Sequence, residues 1–148
     1  MKARGNFDFG KETATMLPLI LREVTKRQMT IFSKGKLSLP QVVILDFLRE
    51  RGASRMGDLS KTLHLTMSAV TAIVDKMIKL KLVKRERSRK DRRVIYISLL
   101  KKGEKTARQV NEERKKMSAD IFSVLTMPEK RKYLRLLRKV YEDLRKRK

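Results

Sequence analysis

Between residues 54 and 99 the hydrophobic pattern changes from a helical period to a strand-like one, which limits the folds open to the chain. Apolar residues recur every three or four positions over 66–80, as expected of an amphipathic helix. A shorter segment of the same kind, 55–63, precedes it, and only His64 and Leu65 separate the two. Two helices joined by such a tight turn form a helix-turn-helix pattern.

Two short strands follow this helix pair. Residues 82–85 read as the first, and residues 94–99 as the second, since they are rich in β-branched and aromatic side chains. The basic segment between them places the tip of a β-hairpin near 88–91. We therefore predict a mostly α-helical chain with a small β-hairpin directly after the helix-turn-helix.

Helices are also predicted on both sides of this region, and the expected element order is α-α-α-α-β-β-α-α. Pro40 suits a first helical turn, Gly52 suits a helix end, and Ser54 and Thr66 suit N-caps. The six predicted helices are 11–33, a second from Pro40 to Gly52, 55–63, 66–80, 101 to about 125, and a sixth that begins at Pro128.

The charge of the chain is its most unusual compositional feature. With 39 Lys and Arg against 16 Asp and Glu, the formal net charge is +23. The densest part is 76–93, with ten basic and two acidic residues. Such an excess attracts polyanions, so nucleic acid is the first candidate partner and an anionic membrane surface the second. For the basic C-terminal third, a polyanion contact and a merely solvated face stay equally open.

The residue inventory argues against several functions. The chain has no Cys and one His, His64, so we expect no disulfide, thiolate site or metal cluster. We also expect no cofactor and no enzyme activity, because no phosphate loop or nucleophile–base pair is present. No apolar run reaches the length of a membrane span, and residues 1–10 lack an apolar signal core. A single cytoplasmic domain without membrane contact is the expectation.

The second helix of the pair is the expected reader of double-stranded DNA. An α-helix fits the major groove and contacts base edges through its N-terminal half. Short side chains there let the backbone approach, Ser and Thr bond to bases or phosphates, and Ala meets a thymine methyl. The candidate DNA-binding residues of this helix are Ser68, Ala69, Thr71, Ala72 and Lys76.

The basic hairpin is the second part of the expected DNA interface, because an Arg-bearing tip can enter the minor groove. Asp91 is an acid among bases and repels phosphate. We interpret it as an internal partner that braces the hairpin by holding Arg93 or a loop amide. The candidate DNA-binding residues of the hairpin are Arg85, Arg87, Arg89, Lys90 and Arg92.

Residues 39–103 resemble the winged helix of the MarR family, in which the hairpin is called the wing. Asp91-Arg92-Arg93 is similar to the D-x-R wing signature, and Leu99 with Gly103 is similar to the L-T-x-x-G motif that closes the wing. The segments 74–77, 82–85 and 39–41 also fit. The chain departs at Lys81, where the family usually has Gly, at Leu100 in place of Thr, and at Ala72, where Arg is frequent.

The resemblance implies a single MarR-like domain over 1–148. Its parts are a winged helix-turn-helix lobe over 38–100 and dimerisation helices over 11–36 and 101–146. The apolar stripes of the terminal helices also favour a homodimer, because one small lobe cannot cover them. The family further implies a small anionic aromatic effector, for which Leu17, Leu21 and Arg22 are candidate pocket residues.

Together these features predict a sequence-specific, dimeric transcription regulator. We expect a ligand-responsive repressor that binds an inverted-repeat operator through a recognition helix, about 66–80, and a basic wing, about 85–93. A weakly specific architectural protein that coats DNA is the alternative, since the high charge suits it. A helical protein-interaction module with incidental charge is a third reading.

Overall fold

The fold is known from a computed structural model, which describes residues 7–88, 91 and 93–147. It is mostly helical with a small antiparallel sheet, as the sequence predicts. The elements in chain order are α1 (Phe9–Lys34), α2 (Leu39–Arg51), β1 (Ser54–Arg55), α3 (Met56–Leu63), α4 (Met67–Lys79), β2 (Val83–Arg87), β3 (Ile95–Leu99), α5 (Lys101–Ile121) and α6 (Met127–Lys146).

The sheet has three strands in the order β1-β3-β2, whereas the sequence analysis expects only the hairpin. The extra strand consists of Ser54 and Arg55, which pair with Ile97 and Tyr96 of β3. The prediction that Ser54 caps the third helix is therefore wrong. Arg55 takes the N-cap position instead, and its backbone N–H donates to the Asp58 carboxylate at 3.3 Å. This strand attaches the start of α3 to the hairpin.

The core lies between the helix-turn-helix, α2 and the sheet. Val70, Val74 and Met77 of α4 are completely buried, and Leu59 of α3 and Ile97 of β3 are buried with them. Four apolar residues of α2 are buried as well, which confirms the burial expected of a helix that is apolar nearly all round. One face of α4 is thus fixed in the core, and the opposite face is left for solvent or a ligand.

The joint between α4 and the wing is compact. Lys81 adopts the left-handed conformation, with φ of 58°. Its N–H donates to Ile78 O at 2.8 Å, and the N–H of Leu82 donates to Met77 O at 2.9 Å. These two bonds form a Schellman motif, which normally favours Gly at the position of Lys81. Gly103 at the start of α5 packs directly on the backbone of Leu82.

Most predicted helix boundaries agree with the structure, and the exceptions lie at the ends. The fifth helix ends at Ile121, whereas the sequence analysis extends it to about residue 125. Thr126 caps α6, and its backbone N–H and hydroxyl both donate to the Glu129 carboxylate at 2.8 Å. These hydrogen bonds hold the pKa of Glu129 below its ordinary value, because they stabilise the ionised form.

The chain divides into two compact units after Glu113. In the first unit, the N-terminal half of α1 exposes a series of large apolar side chains: Phe9, Met16, Leu17, Leu19, Ile20 and Leu21. In the second unit, α6 has no buried residue. Its exposed apolar side chains include Leu134, Leu137, Val140, Tyr141 and Leu144. In the described part of the chain, no helix is both long enough and apolar enough to cross a bilayer.

Candidate nucleic-acid interface

The solvent-facing side of α4 carries the five residues that the sequence analysis assigns to this helix. Ser68, Ala72 and Lys76 are exposed, and Ala69 and Thr71 are half-buried. The hydroxyl of the N-cap residue Thr66 accepts from the Ala69 N–H at 3.3 Å and lies 3.1 Å from the Ser68 hydroxyl. Met67, in the first turn of α4, is 49% exposed. The resulting surface is small, polar and uncrowded, as a helix that enters a DNA groove requires.

The alternation of side chains along β2 sorts the charges of the wing. Arg85 and Arg87 lie on the same face of the strand as the buried Val83, while Lys84 and Glu86 lie on the other face. The Lys84 ammonium pairs with the Glu86 carboxylate at 2.7 Å, which neutralises that other face. Arg87 forms no ion pair with any other residue that the structure describes, so its charge remains available to an anion.

An ion pair joins the wing to the recognition helix. The guanidinium of Arg85 donates to Oδ1 of Asp75 at 2.9 Å, and both side chains are partly exposed. From the sequence, Arg85 is predicted to contact DNA, and Asp75 has no predicted role. In the structure, at least one N–H of this guanidinium is bound to Asp75, and this contact connects β2 with α4. A phosphate contact by Arg85 must therefore use its remaining N–H groups or displace Asp75.

A basic cavity of about 440 Å³ lies between the helix-turn-helix and the wing. Thr71 of the recognition helix borders it, as does Lys61 of α3. The guanidinium of Arg55 lies 6.0 Å from the centre of the Tyr96 ring, and hydrogen bonding to Tyr96 raises the pKa of Arg55. The cationic residues that line the cavity are Arg55, Lys61, Arg85 and Arg93, and the acidic one is Asp58.

The base of the wing tip contains a network around Asp91. Oδ1 of Asp91 accepts from the backbone N–H of Arg93 at 2.9 Å, and the Asp91 N–H donates to the Ser88 hydroxyl at 3.3 Å. The carboxylate thus contacts a loop amide, one of the two partners considered from the sequence. Its bracing role stays a prediction. Arg89, Lys90 and Arg92, assigned to DNA from the sequence, lie outside the described residues.

The candidate effector residues lie on α1. Leu17, Leu21 and Arg22 are all exposed in the single chain, and none of them lines the cavity beside the wing. An effector site at these positions stays a prediction. Among the residues that the structure describes, no three His, Cys, Asp or Glu side chains are grouped closely enough to hold a metal ion.

Three residues of this interface escape the sequence analysis, namely Arg55, Lys61 and Asp75. Arg55 and Lys61 lie in or next to α3, which reads from the sequence only as the supporting helix of the pair. Asp75 and Arg85 are ten positions apart on different elements. The spacing of residues along one helix or strand does not predict a contact between two elements. The position of Asp75 on the polar face of α4 is only a weak signal of it.

Comparisons with known proteins extend over most of the chain. A sequence profile described as the MarR family matches residues 37–95. The HTH-type transcriptional regulator YsmB of Bacillus subtilis is 30% identical over 123 residues, which are 83% of this chain and 84% of that protein. The HTH-type transcriptional repressor MdtR of Bacillus subtilis is 26% identical over 113 residues, 76% of this chain and 73% of that protein. A solved structure of a MarR family protein from Bacillus stearothermophilus is 31% identical, covers 90% of this chain and 94% of its own, and has a TM-score of 0.82.

Proposed function

The chain belongs to the MarR family of HTH-type transcriptional regulators, which bind DNA, and we propose that it is a sequence-specific repressor that binds an inverted-repeat operator as a homodimer. In this proposal residues 38–100 form the DNA-binding lobe, and residues 11–36 and 101–146 supply the dimer contacts. The observation that carries it is the exposed polar face of α4 beside a wing whose Arg87 has no ion-pair partner among the described residues.

Base readout is assigned to α4 and affinity to the wing. Ser68, Ala69, Thr71 and Ala72 form the N-terminal half of the exposed face, which is the part of a recognition helix that reaches base edges. Arg85, Arg87 and Lys76 present cations beside it, and phosphate contacts fix the position of a protein without reading sequence.

A homodimer is supported by the exposed apolar faces of α1 and α6. Leu17 and Leu21 of α1 are 50% and 54% exposed, and Leu137 and Val140 of α6 are 49% and 57% exposed. Apolar faces of this extent on a soluble regulator mark an association surface. Two-fold symmetry then leads to an inverted repeat whose half-sites lie about one helical turn apart.

Repression is the sign of regulation that we propose, since MdtR is named a repressor. In-vitro transcription from a promoter that overlaps the selected operator tests the sign directly. Addition of the protein should lower the transcript level. A rise in the transcript level would contradict repression and leave DNA binding intact.

Selection of bound genomic fragments with the purified protein tests the proposal as a whole. We expect one enriched motif with inverted symmetry. Fragments enriched without a common motif would instead support the second candidate, an architectural protein that coats DNA, which the net charge of +23 favours. Competition by unrelated duplex separates the two in the same way, because only a sequence-specific complex resists it.

Two matched substitutions test the division between readout and affinity. Thr71→Leu leaves the charge unchanged and fills the exposed face of α4, so it should weaken the selected operator at least about tenfold more than random duplex. Arg87→Ala removes a wing cation and should weaken both duplexes by a similar factor. Equal losses on both duplexes for Thr71→Leu would contradict base readout by α4.

A further inference from the structure

The last helix carries a second concentration of positive charge, separate from the winged lobe. Between Met127 and Lys146, α6 has eight basic and three acidic residues. The α6 basic face is defined here as Arg131, Arg135, Arg138, Lys139 and Lys146, all of them exposed. At helical spacing these residues share one side of α6 over about 22 Å.

The α6 basic face differs from the other charged helix surfaces of the protein. On α1 and α5, Arg27 pairs with Glu23 and Arg108 pairs with Glu104, both at 3.7 Å and one turn apart. Such mixed-sign pairs are typical of a solvated helix face. No residue of the α6 basic face forms an ion pair with any residue that the structure describes.

The acidic residues of α6 do not change this conclusion. Asp143 pairs with Arg147 at 2.7 Å, at the end of the helix. Glu142 is the one acidic residue beside the cations, and it lines a shallow hollow of about 470 Å³ with Arg131, Arg135, Arg138 and Lys139. Several like charges one turn apart destabilise a helix by some tenths of a kcal/mol per pair, and a bound polyanion relieves that repulsion.

We propose that the α6 basic face is a second DNA-binding surface, which contacts phosphates of double-stranded DNA in addition to those held by the winged lobe. DNA is favoured over an anionic membrane for one reason that rests on the proposed function. A helix at a lipid surface buries its apolar face in the acyl region. In the proposed dimer the apolar face of α6 is occupied, so it is not free to enter the acyl region of a membrane.

Salt-dependent binding of the full-length protein to a random duplex tests this proposal. The quadruple variant R131Q/R135Q/R138Q/K139Q removes four charges per protomer. On a duplex of about 60 base pairs we expect its affinity at moderate salt to fall about tenfold or more, and the slope of log affinity against log salt to flatten by about 2 or more.

The matched control K11Q/K26Q/K34Q/K105Q removes four exposed Lys charges from α1 and α5. It should change the slope by less than about 1, because dispersed charges neutralise no defined phosphates. R131K/R135K/R138K keeps the charge and should keep the native slope. If the two quadruple variants show the same slope, the second surface does not exist.

Three checks keep the outcomes distinct. If the quadruple variant unfolds at a lower temperature by circular dichroism, the single change Arg135→Gln replaces it. We then expect the slope of log affinity against log salt to flatten by about 1, and an unchanged slope would contradict the proposal. Sedimentation with vesicles of phosphatidylcholine and phosphatidylglycerol tests whether the α6 basic face binds an anionic membrane instead. If the native protein sediments with the vesicles, the variant does not, and the DNA slope is unchanged, the proposal is overturned.

The winged-lobe variant R85Q/R87Q distinguishes this proposal from the proposed function. Native DNA binding by this variant would refute the proposed role of the winged lobe and leave the α6 surface standing.

Discussion

Gly103 lies where the start of α5 packs on the backbone that precedes the wing. A Cβ added there would overlap the carbonyl oxygen of Leu82 and lie 2.9 Å from its carbonyl carbon. The Leu82 carbonyl also accepts from the Leu100 N–H at 2.9 Å, so this backbone segment is held in place. The close approach explains why only Gly is compatible with this position.

We expect Gly103→Ala to destabilise the protein by about 1–3 kcal/mol, because overpacking against fixed backbone outweighs the better helix propensity of Ala. Urea unfolding monitored by circular dichroism measures the change. Gly57→Ala in α3 is the matched control, since a Cβ there meets nothing within 4 Å. It should be neutral or stabilise by up to about 1 kcal/mol. Equal effects of the two substitutions would contradict the packing argument.

Lys81 is a residue in a conformation that suits Gly better, with φ of 58° at the end of α4. We expect Lys81→Gly to stabilise the protein by about 0.5–1 kcal/mol, since the left-handed strain that it relieves exceeds the added entropy of the unfolded chain. Lys79→Gly, inside the helix, should instead cost about 1 kcal/mol. Thermal unfolding of the two variants decides, and a loss of stability for Lys81→Gly would show that its side chain matters more than its backbone.

At the scale of elements, Asp91 of the wing affects DNA affinity in two ways, through its negative charge and through its hydrogen bond to the Arg93 N–H. Asp91→Asn keeps an acceptor for the Arg93 N–H and removes the negative charge, so it should bind random duplex at least as tightly as the native protein. Asp91→Ala removes the acceptor too. If the hydrogen bond braces the tip, this variant should bind about 2–10-fold more weakly than Asp91→Asn. Equal affinities of the two variants in a binding titration would refute the bracing role.

Elements with a strong period could be predicted from the sequence, and those that depend on a distant partner could not. The recurrence of apolar residues every three or four positions in 66–80 predicts both the existence of α4 and its exposed face. β1 is only two residues long and has no period of its own. It exists because Ser54 and Arg55 pair with β3 some forty residues later in the chain.

The candidate site divides in the same way. Ser68, Thr71 and their neighbours could be placed on the exposed face of α4, because position on a helix follows from spacing. The pairing of Arg85 with Asp75 and of Arg55 with Tyr96 could not, because each joins two elements whose relative position the tertiary fold sets. The sequence therefore predicts which face of an element a basic residue lies on better than it predicts the group that the residue contacts.

For the whole molecule, the proposed dimer makes a direct prediction. Leu137→Glu places a charge on the apolar face of α6, where the native side chain is 49% exposed in the single chain. Loss of two buried Leu side chains amounts to about 3–6 kcal/mol, so the dimer dissociation constant should rise at least about 100-fold. Sedimentation equilibrium measures it. Arg135→Glu, on the other side of the helix, should leave the dimer intact, and a native dissociation constant for Leu137→Glu would exclude this face from the interface.

Two of the links that the structure describes between the wing and the helix-turn-helix bear on the target of the proposed dimer. β1 ties the start of α3 to β3, and the Asp75–Arg85 pair ties α4 to β2. In the proposed complex these links keep α4 and the base of the wing at a set separation, so that the bases under α4 and the phosphates under the wing are contacted together. In the proposed dimer, an extra base pair between half-sites adds about 3.4 Å and a tenth of a helical turn. We expect this change to be absorbed by deforming the duplex or by shifting one entire protomer. We therefore expect the proposed dimer to recognise the spacing of its half-sites as well as their base sequence.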